Sequence, residues 1–508
     1  ITFDMWGVLF YEALDLQQLL ALAEAKEYYI GLSDLKDIEN NLSIEQLQNI
    51  EDIMEDFILE NPSMHDVMRE AVRQGKVVYI RNNSDYSDHF TQKILDKYTY
   101  NVKLYNNKKG LHITNKKVAQ GDVEYKNVNT LGEKYRPFSY YNVITALYNQ
   151  LVNIKFHNQM SRYSLFYEYG FSYGGILTCG FCQFLTQLVK REGIDKLLFV
   201  ARDGDIMEKV YKRYFNTVDS AYLVFSRFAS YELIFEDFPE EYIDKNIKPR
   251  MARTGADNSI KKILQECGLA FLEKNLLGEN LLADDVLQNE NFDQFKSLIL
   301  SHKVEIQDSF GETCKAAKEY IMGMIGTSKK VCIVDLGWHG KSIVYLKHLC
   351  ERKYGWQGTV IGAMVGASGN NTVQDHVRTG LIYTYAFENE YWRNMGTKAG
   401  KCMEYKECIC LEALFSSPQD TLLRYTYDEK GQVDFLFGKK NKNKEIVSQI
   451  HKGILDFAEQ FMPLIQKYNL QISVRDAYTP IDAVMQNKKY QDMIYRKYYE
   501  EPNAMNGF

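Results

Sequence analysis

The chain lacks an excess of basic charge: 61 Lys and Arg stand against 67 Asp and Glu, a net charge of −6. That balance gives no reason to expect a nucleic-acid partner. The basic runs, Lys108-Lys109 and Lys439–Lys444, are short and read as solvated loops. The nine cysteines are odd in number and irregularly spaced over 508 residues, which excludes a disulfide framework and points to a reducing compartment. No basic segment precedes the first hydrophobic stretch, so no signal peptide is expected. Internal repeats and low-complexity segments are also missing. One uncharged stretch of 21 residues, Tyr169–Val189, has the length of a membrane span. Its glycines, glutamines, threonines and serine fit a buried helix entered through Gly174-Gly175 better. The expectation is a cytoplasmic protein without a transmembrane segment.

What is present is ordinary globular composition, 45% apolar and 25% charged, in a chain long enough for two or three domains. Residues 1–10 read as a strand leaving through Gly7. Residues 13 to about 73 read as helical, with Ser43 as an N-cap and Gly75 as a stop. KVVYI (76–80) is a second strand, followed by the helical SDHFTQKILDKY. Residues 101–140 are polar and poorly periodic, and a boundary is expected near residue 135. Beyond it, strands at 197–201, 221–225, 331–334 and 358–366 alternate with helices, which predicts a mostly parallel, doubly wound sheet. Residues 258–325 read as a helical insertion, and the tail after 440 as helical.

Three segments share one design, in which an apolar strand runs into an acidic turn and then a helix: FDMWGVLF at Phe3, LLFVARDGD at Leu197 and VCIVDLGWHGKS at Val331. That arrangement puts a carboxylate at the carboxyl edge of a sheet, where α/β proteins bind ligands. In the second half, Arg202 and Arg227 have the geometry to clamp a phosphate or carboxylate. Asp203 and Asp335 lie just past strand ends, suited to a metal or to sugar hydroxyls, and Gly204 completes the RDG turn. His339 is a candidate acid or base. The competing reading pairs these Arg and Asp side chains as structural salt bridges; for Ser226 a structural role is favoured. Asp335-Leu-Gly-Trp-His-Gly-Lys-Ser342 nearly fits the P-loop pattern, but Asp335 replaces the first glycine, which argues against a nucleotide triphosphatase. Gly337, Lys341 and Ser342 still suit a phosphate group, and the Asp-then-glycine turn also resembles phosphoribosyltransferase pyrophosphate loops. Glu412 starts the EALFSSP element, and as a carboxylate in an apolar helix it is a further candidate, either reaching the site or capping it. Cys179-x2-Cys182 has no second pair suitably spaced and reads as two buried small hydrophobes, and the cluster Cys402, Cys408 and Cys410 has no histidine near in sequence, which argues against zinc.

Phe3–Phe10 resembles motif I of the haloacid dehalogenase (HAD) superfamily. The elements SLFYEYGFSYGGILTCGFCQFL, LLFVARDGD, YLVFSR, VCIVDLGWHGKS and CLEALFSSP recur in this order in large HAD-like proteins of bacterial surface-polysaccharide gene clusters. That resemblance implies an N-terminal HAD-like Rossmannoid domain (1–135) with a helical cap (about 13–73), and a second Rossmann-like α/β domain (136–508). It implies Asp4 as nucleophile and Mg²⁺ ligand. The chain departs from the HAD pattern: Trp6 replaces the general acid, Val8 the usual Thr, and Arg81-Asn82 the Ser or Thr of the next strand. Gly121-Asp122 is the nearest approach to the metal motif, and Lys108, Lys109 and Lys116 are the candidates for the phosphate-binding lysine. The function implied is phosphoryl hydrolysis or transfer, with Mg²⁺, on a phosphorylated or nucleotide-linked sugar. The alternatives are a glycosyltransferase-like enzyme working through the second domain, or a non-catalytic scaffold for a partner glycosyltransferase.

Overall fold

The computed structural model describes residues 1–24, 43–98, 100, 102, 104, 110–114, 125–127, 138, 142–156, 163–252, 258–367, 371–388, 405–438 and 441–500. Lys108, Lys109, Lys116, Gly121-Asp122 and Cys402 lie outside them. The chain forms two compact units, Ile1–Gly180 with Gln449–Val484, and Phe181–Ser448 with Met485–Phe508. This division differs from the expected boundary near residue 135, and close helix packing explains why. A Cβ on Gly170 would stand 2.0 Å from the Ile450 carbonyl oxygen, and one on Gly453 would stand 2.2 Å from that of Tyr167. Such contact holds the segment before Gly180 to the helix Lys444–Lys467, far along the chain.

In the first unit, the strands are β1 (Thr2–Asp4), β2 (Phe10–Glu12), β3 (Ile58–Glu60), β4 (Tyr79–Arg81), β5 (His112–Thr114) and β6 (Tyr125–Asn127). The expected single strand over 1–10 is thus two strands separated by a turn, because Gly7 takes a left-handed φ of 78° and reverses the chain. β2 pairs antiparallel with β3, a short strand inside the region read as wholly helical. The main sheet has the order β4-β1-β5-β6, with parallel pairing throughout. β5 and β6 come from the stretch read as irregular; three residues are too few to show a period. Asn61 caps the helix Pro62–Arg73 and Ser87 caps Asp88–Lys97, each accepting a backbone N–H in the first turn. Phe3, Phe10, Ile80, Phe90 and Ile94 form the core between sheet and helices.

The second unit is built on β7 (Lys196–Val200), β8 (Asp219–Leu223), β9 (Lys330–Trp338), β10 (Thr359–Ala367) and β11 (Ile382–Phe387). Their order is β11-β10-β9-β7-β8, all parallel. In chain order this is the 2-1-3-4-5 arrangement of doubly wound sheets, whose strand order reverses between the first and third strands. Here that place is the gap between the ends of β7 and β9. The helical insertion is present as Ile260–Glu266, Phe292–Ser301, Lys303–Ser309 and Gly311–Ile325. A hairpin of β12 (Leu422–Tyr427) and β13 (Val433–Phe437) packs on the last of these helices, with Tyr320 and Phe435 ring centroids 5.0 Å apart. Among the described residues, no helix is long and apolar enough to cross a membrane. The uncharged stretch forms a helix with a π turn at Gly170–Gly174 and a continuation over Gly175–Glu192.

Candidate functional site

At the end of β7 the chain turns directly into the helix Gly204–Tyr214. A Cβ on Gly204 would lie 2.8 Å from the backbone carbon of Phe199, so only glycine lets the helix begin this close to the strand. Asp203 occupies the cap position, but its carboxylate makes no capping bond. It is half-buried yet surrounded by protein. Burial, then the neighbouring Asp335 charge, push its carboxyl up to about 7, against the opposing pull of Arg202.

Asp335, expected just past a strand end, lies within β9, because pairing with β10 carries that strand on to Trp338; it is buried, 7% exposed. One of its oxygens accepts the Leu336 N–H at 2.8 Å. Ser342 also bonds to the carboxylate; burial raises its pKa, while Arg227, Leu336 N–H, Ser342 and Arg202 pull it back. Ser342 is therefore buried against Asp335 and holds that side chain in place. Gly337 has a φ of 152°, and a Cβ there would meet the Gly366 carbonyl oxygen at 2.2 Å. Gly340, at φ 63°, is the left-handed residue that starts the helix Lys341–Lys347.

Arg202, Arg227 and His339 are exposed at the same edge. Neither guanidinium forms an ion pair with a described residue, so the structural reading in which they pair directly with Asp203 and Asp335 is not what the fold contains. Their charges nonetheless act on both aspartates. Burial, Arg227, Lys341 and Lys245 all lower the His339 pKa, which favours the neutral imidazole. Lys341 pairs with Glu241, whose carboxylate also accepts the Tyr345 hydroxyl. Glu412, on the helix Tyr405–Phe415, accepts the Trp338 indole N–H at 2.9 Å.

Asp203, Asp335, His339, Arg202, Gly204, Arg227, Gly337, Lys341, Ser342 and Glu412 thus belong to one region at the strand ends, with Lys341 and Ser342 already engaged by protein partners. Ser226 is structural, as expected: its hydroxyl caps the helix Arg227–Ile234 and donates to the Leu422 carbonyl. Sequence reading missed Glu241, Lys245 and Tyr498. The Tyr498 ring is buried beside Ser416, Glu412, Arg202 and Asp203. These three stand in charged or Tyr-rich helical stretches, where nothing in the local pattern distinguishes them.

Asp4 lies elsewhere, at the end of β1 in the first unit, and is fully buried. Arg81, its register partner in β4, pairs with Oδ1 at 2.7 Å, and His112 Nε2 lies 2.9 Å from the same oxygen. Oδ2 has no hydrogen-bond partner among the described residues. Mg²⁺ takes several oxygen ligands in octahedral geometry. One carboxylate with a guanidinium and an imidazole against it does not fit that ion, and the described residues hold no cluster of three or more His, Cys, Asp or Glu suited to a metal.

No protein-family model matches this chain, and no curated protein matches it significantly.

Proposed function

We propose that the chain is a cytoplasmic enzyme acting on a phosphorylated or nucleotide-linked sugar at the β7–β9 edge of its second unit. The observation that carries this reading is the convergence, at the place where strand order reverses, of two arginines that form no ion pair with a described residue and two carboxylates whose pKa values are raised. Arg202 and Arg227 suit the phosphate, and Asp203 and Asp335 suit the sugar. In the glycosyl-transfer form of the reaction, an acceptor hydroxyl or water attacks the anomeric carbon. The bond from that carbon to the phosphate oxygen breaks, and the phosphate leaves with the bonding electrons onto the arginines. Asp203 takes the acceptor's proton, since a carboxylate titrating near neutrality is matched to that task. The resemblance to HAD-like proteins of surface-polysaccharide gene clusters supports a sugar substrate.

A second reading, phosphoryl hydrolysis or transfer at Asp4, is favoured by the unpartnered buried Oδ2 at the end of a parallel strand. A thermal-shift screen of sugar nucleotides and sugar phosphates, with and without Mg²⁺, separates the two. Stabilisation abolished by Asp203→Ala and kept in Asp4→Ala supports the β7–β9 site. The opposite pattern moves the activity to Asp4, and no stabilisation by any compound leaves a scaffold for a partner glycosyltransferase.

A further inference from the structure

Cations crowd one flank of the β7–β9 site. Arg227 and Lys245 are exposed and make no ion pair with a described residue, and Lys341 pairs with Glu241 and lies over the Tyr345 ring, 5.9 Å from its centroid. The Arg227, Lys341 and Lys245 charges all reach His339, and Lys341 and Lys245 both act on Glu241. The three belong to three separate elements: the helix Arg227–Ile234, the π turn Ile243–Ile247 and the helix Lys341–Lys347. The helix Arg227–Ile234 packs against both of the other two, so the three cations gather at one place rather than line a single solvated helix face. One arginine can satisfy a monophosphate in bidentate fashion. Two further lysines with one carboxylate between them leave positive charge that a single phosphate does not neutralise.

We infer that Arg227, Lys245 and Lys341 form a diphosphate subsite in which Glu241 is the exchangeable counter-ion of Lys341. This rests on the reading above and narrows its substrate to a sugar linked to a diphosphate. In the free protein Glu241 holds Lys341 and the Tyr345 hydroxyl. When a diphosphate binds, Lys341 exchanges the carboxylate for a phosphoryl oxygen, and Tyr345 keeps Glu241 near.

The test is calorimetric titration of the full chain with inorganic pyrophosphate and with orthophosphate, in EDTA. Pyrophosphate is expected to bind about tenfold or more tightly than orthophosphate. Lys245→Gln and Lys341→Met should each weaken pyrophosphate about tenfold and change orthophosphate little, whereas Arg227→Ala should weaken both. Glu241→Gln keeps the hydrogen bond to Tyr345 and should tighten pyrophosphate binding. Equal affinity for the two anions, or no effect at Lys245, overturns the diphosphate subsite while leaving a phosphate site at Arg227. Unchanged affinity in Glu241→Gln overturns the exchange. If neither anion binds and no sugar nucleotide stabilises the chain, the proposed function fails with it. Retained thermal unfolding midpoints in each variant separate lost contacts from lost fold.

Discussion

The Trp338 indole N–H donates to Glu412 Oε1 at 2.9 Å, tying the end of β9 to a helix more than seventy residues onward. Trp338 also stacks near Phe387 of β11, with centroids 6.1 Å apart. Replacing it with Phe keeps the ring but removes the donor, leaving a part-buried carboxylate short of a partner. The expected cost is about 1–3 kcal/mol in urea unfolding, with weaker ligand stabilisation because the turn carrying Gly337 and His339 loses its tether.

Asp203 makes stability depend on pH in a defined direction. Its carboxyl, at about 7 in the fold against roughly 3.9 unfolded, binds its proton more tightly in the native state. That contribution is full below about pH 4 and is lost as pH rises through about 7. Asp203→Asn should remove this slope and leave the chain more stable than wild type at pH 8. The gain is at most about 4 kcal/mol, and about half that given the solvent the half-buried residue still meets. Urea midpoints at pH 5 and pH 8 provide the check; parallel slopes in the two proteins would refute it.

Glu232 is buried and pairs with the Arg424 guanidinium, Nε lying 2.9 Å from Oε2. Arg424→Ala strands the carboxylate and should cost about 3 kcal/mol, toward the low end for a buried pair since Arg424 itself is partly exposed. A double replacement by Leu and Met should recover most of that loss, measured by the same unfolding experiment.

Arg81→Ala should cost about 3–5 kcal/mol, because it leaves the fully buried Asp4 with His112 as its remaining partner on Oδ1. The Asp4→Asn, Arg81→Ala double variant should be milder than Arg81→Ala alone. A single Arg81→Ala as stable as wild type would show that the pair contributes nothing to stability.

Gly337→Ala places a Cβ 2.2 Å from the Gly366 carbonyl oxygen and forces an alanine to a φ of 152°. It should destabilise the chain by about 2 kcal/mol or more and abolish stabilisation by phosphorylated ligands, whereas Gly278→Ala, with open space around it, should do neither.

The strand–turn–helix segments around Asp203 and Asp335 were legible because an apolar run, an acidic residue and a helical period lie within a few adjacent positions. The same local logic located Gly204, Gly337 and Gly340, whose neighbours leave no room for a side chain. It failed for β3, β5 and β6, three-residue strands that exist through their pairing. It also failed for the tail segment Gln449–Val484, which joins the first unit through Ile450 and Gly453. Lys245 and Glu241 were invisible for the same reason, since nothing near them in sequence shows what they face.

By itself, the sequence determined the α/β class and the passage from an apolar strand through Asp203 into a helix, because each is a property of contiguous residues. Only the tertiary structure decided that β7 lies beside β9, so that Asp203 and Asp335 act on one another, and that Arg81 and His112 occupy Asp4. Strand order and side-chain pairing depend on which distant surfaces bury together, and no local pattern encodes that choice.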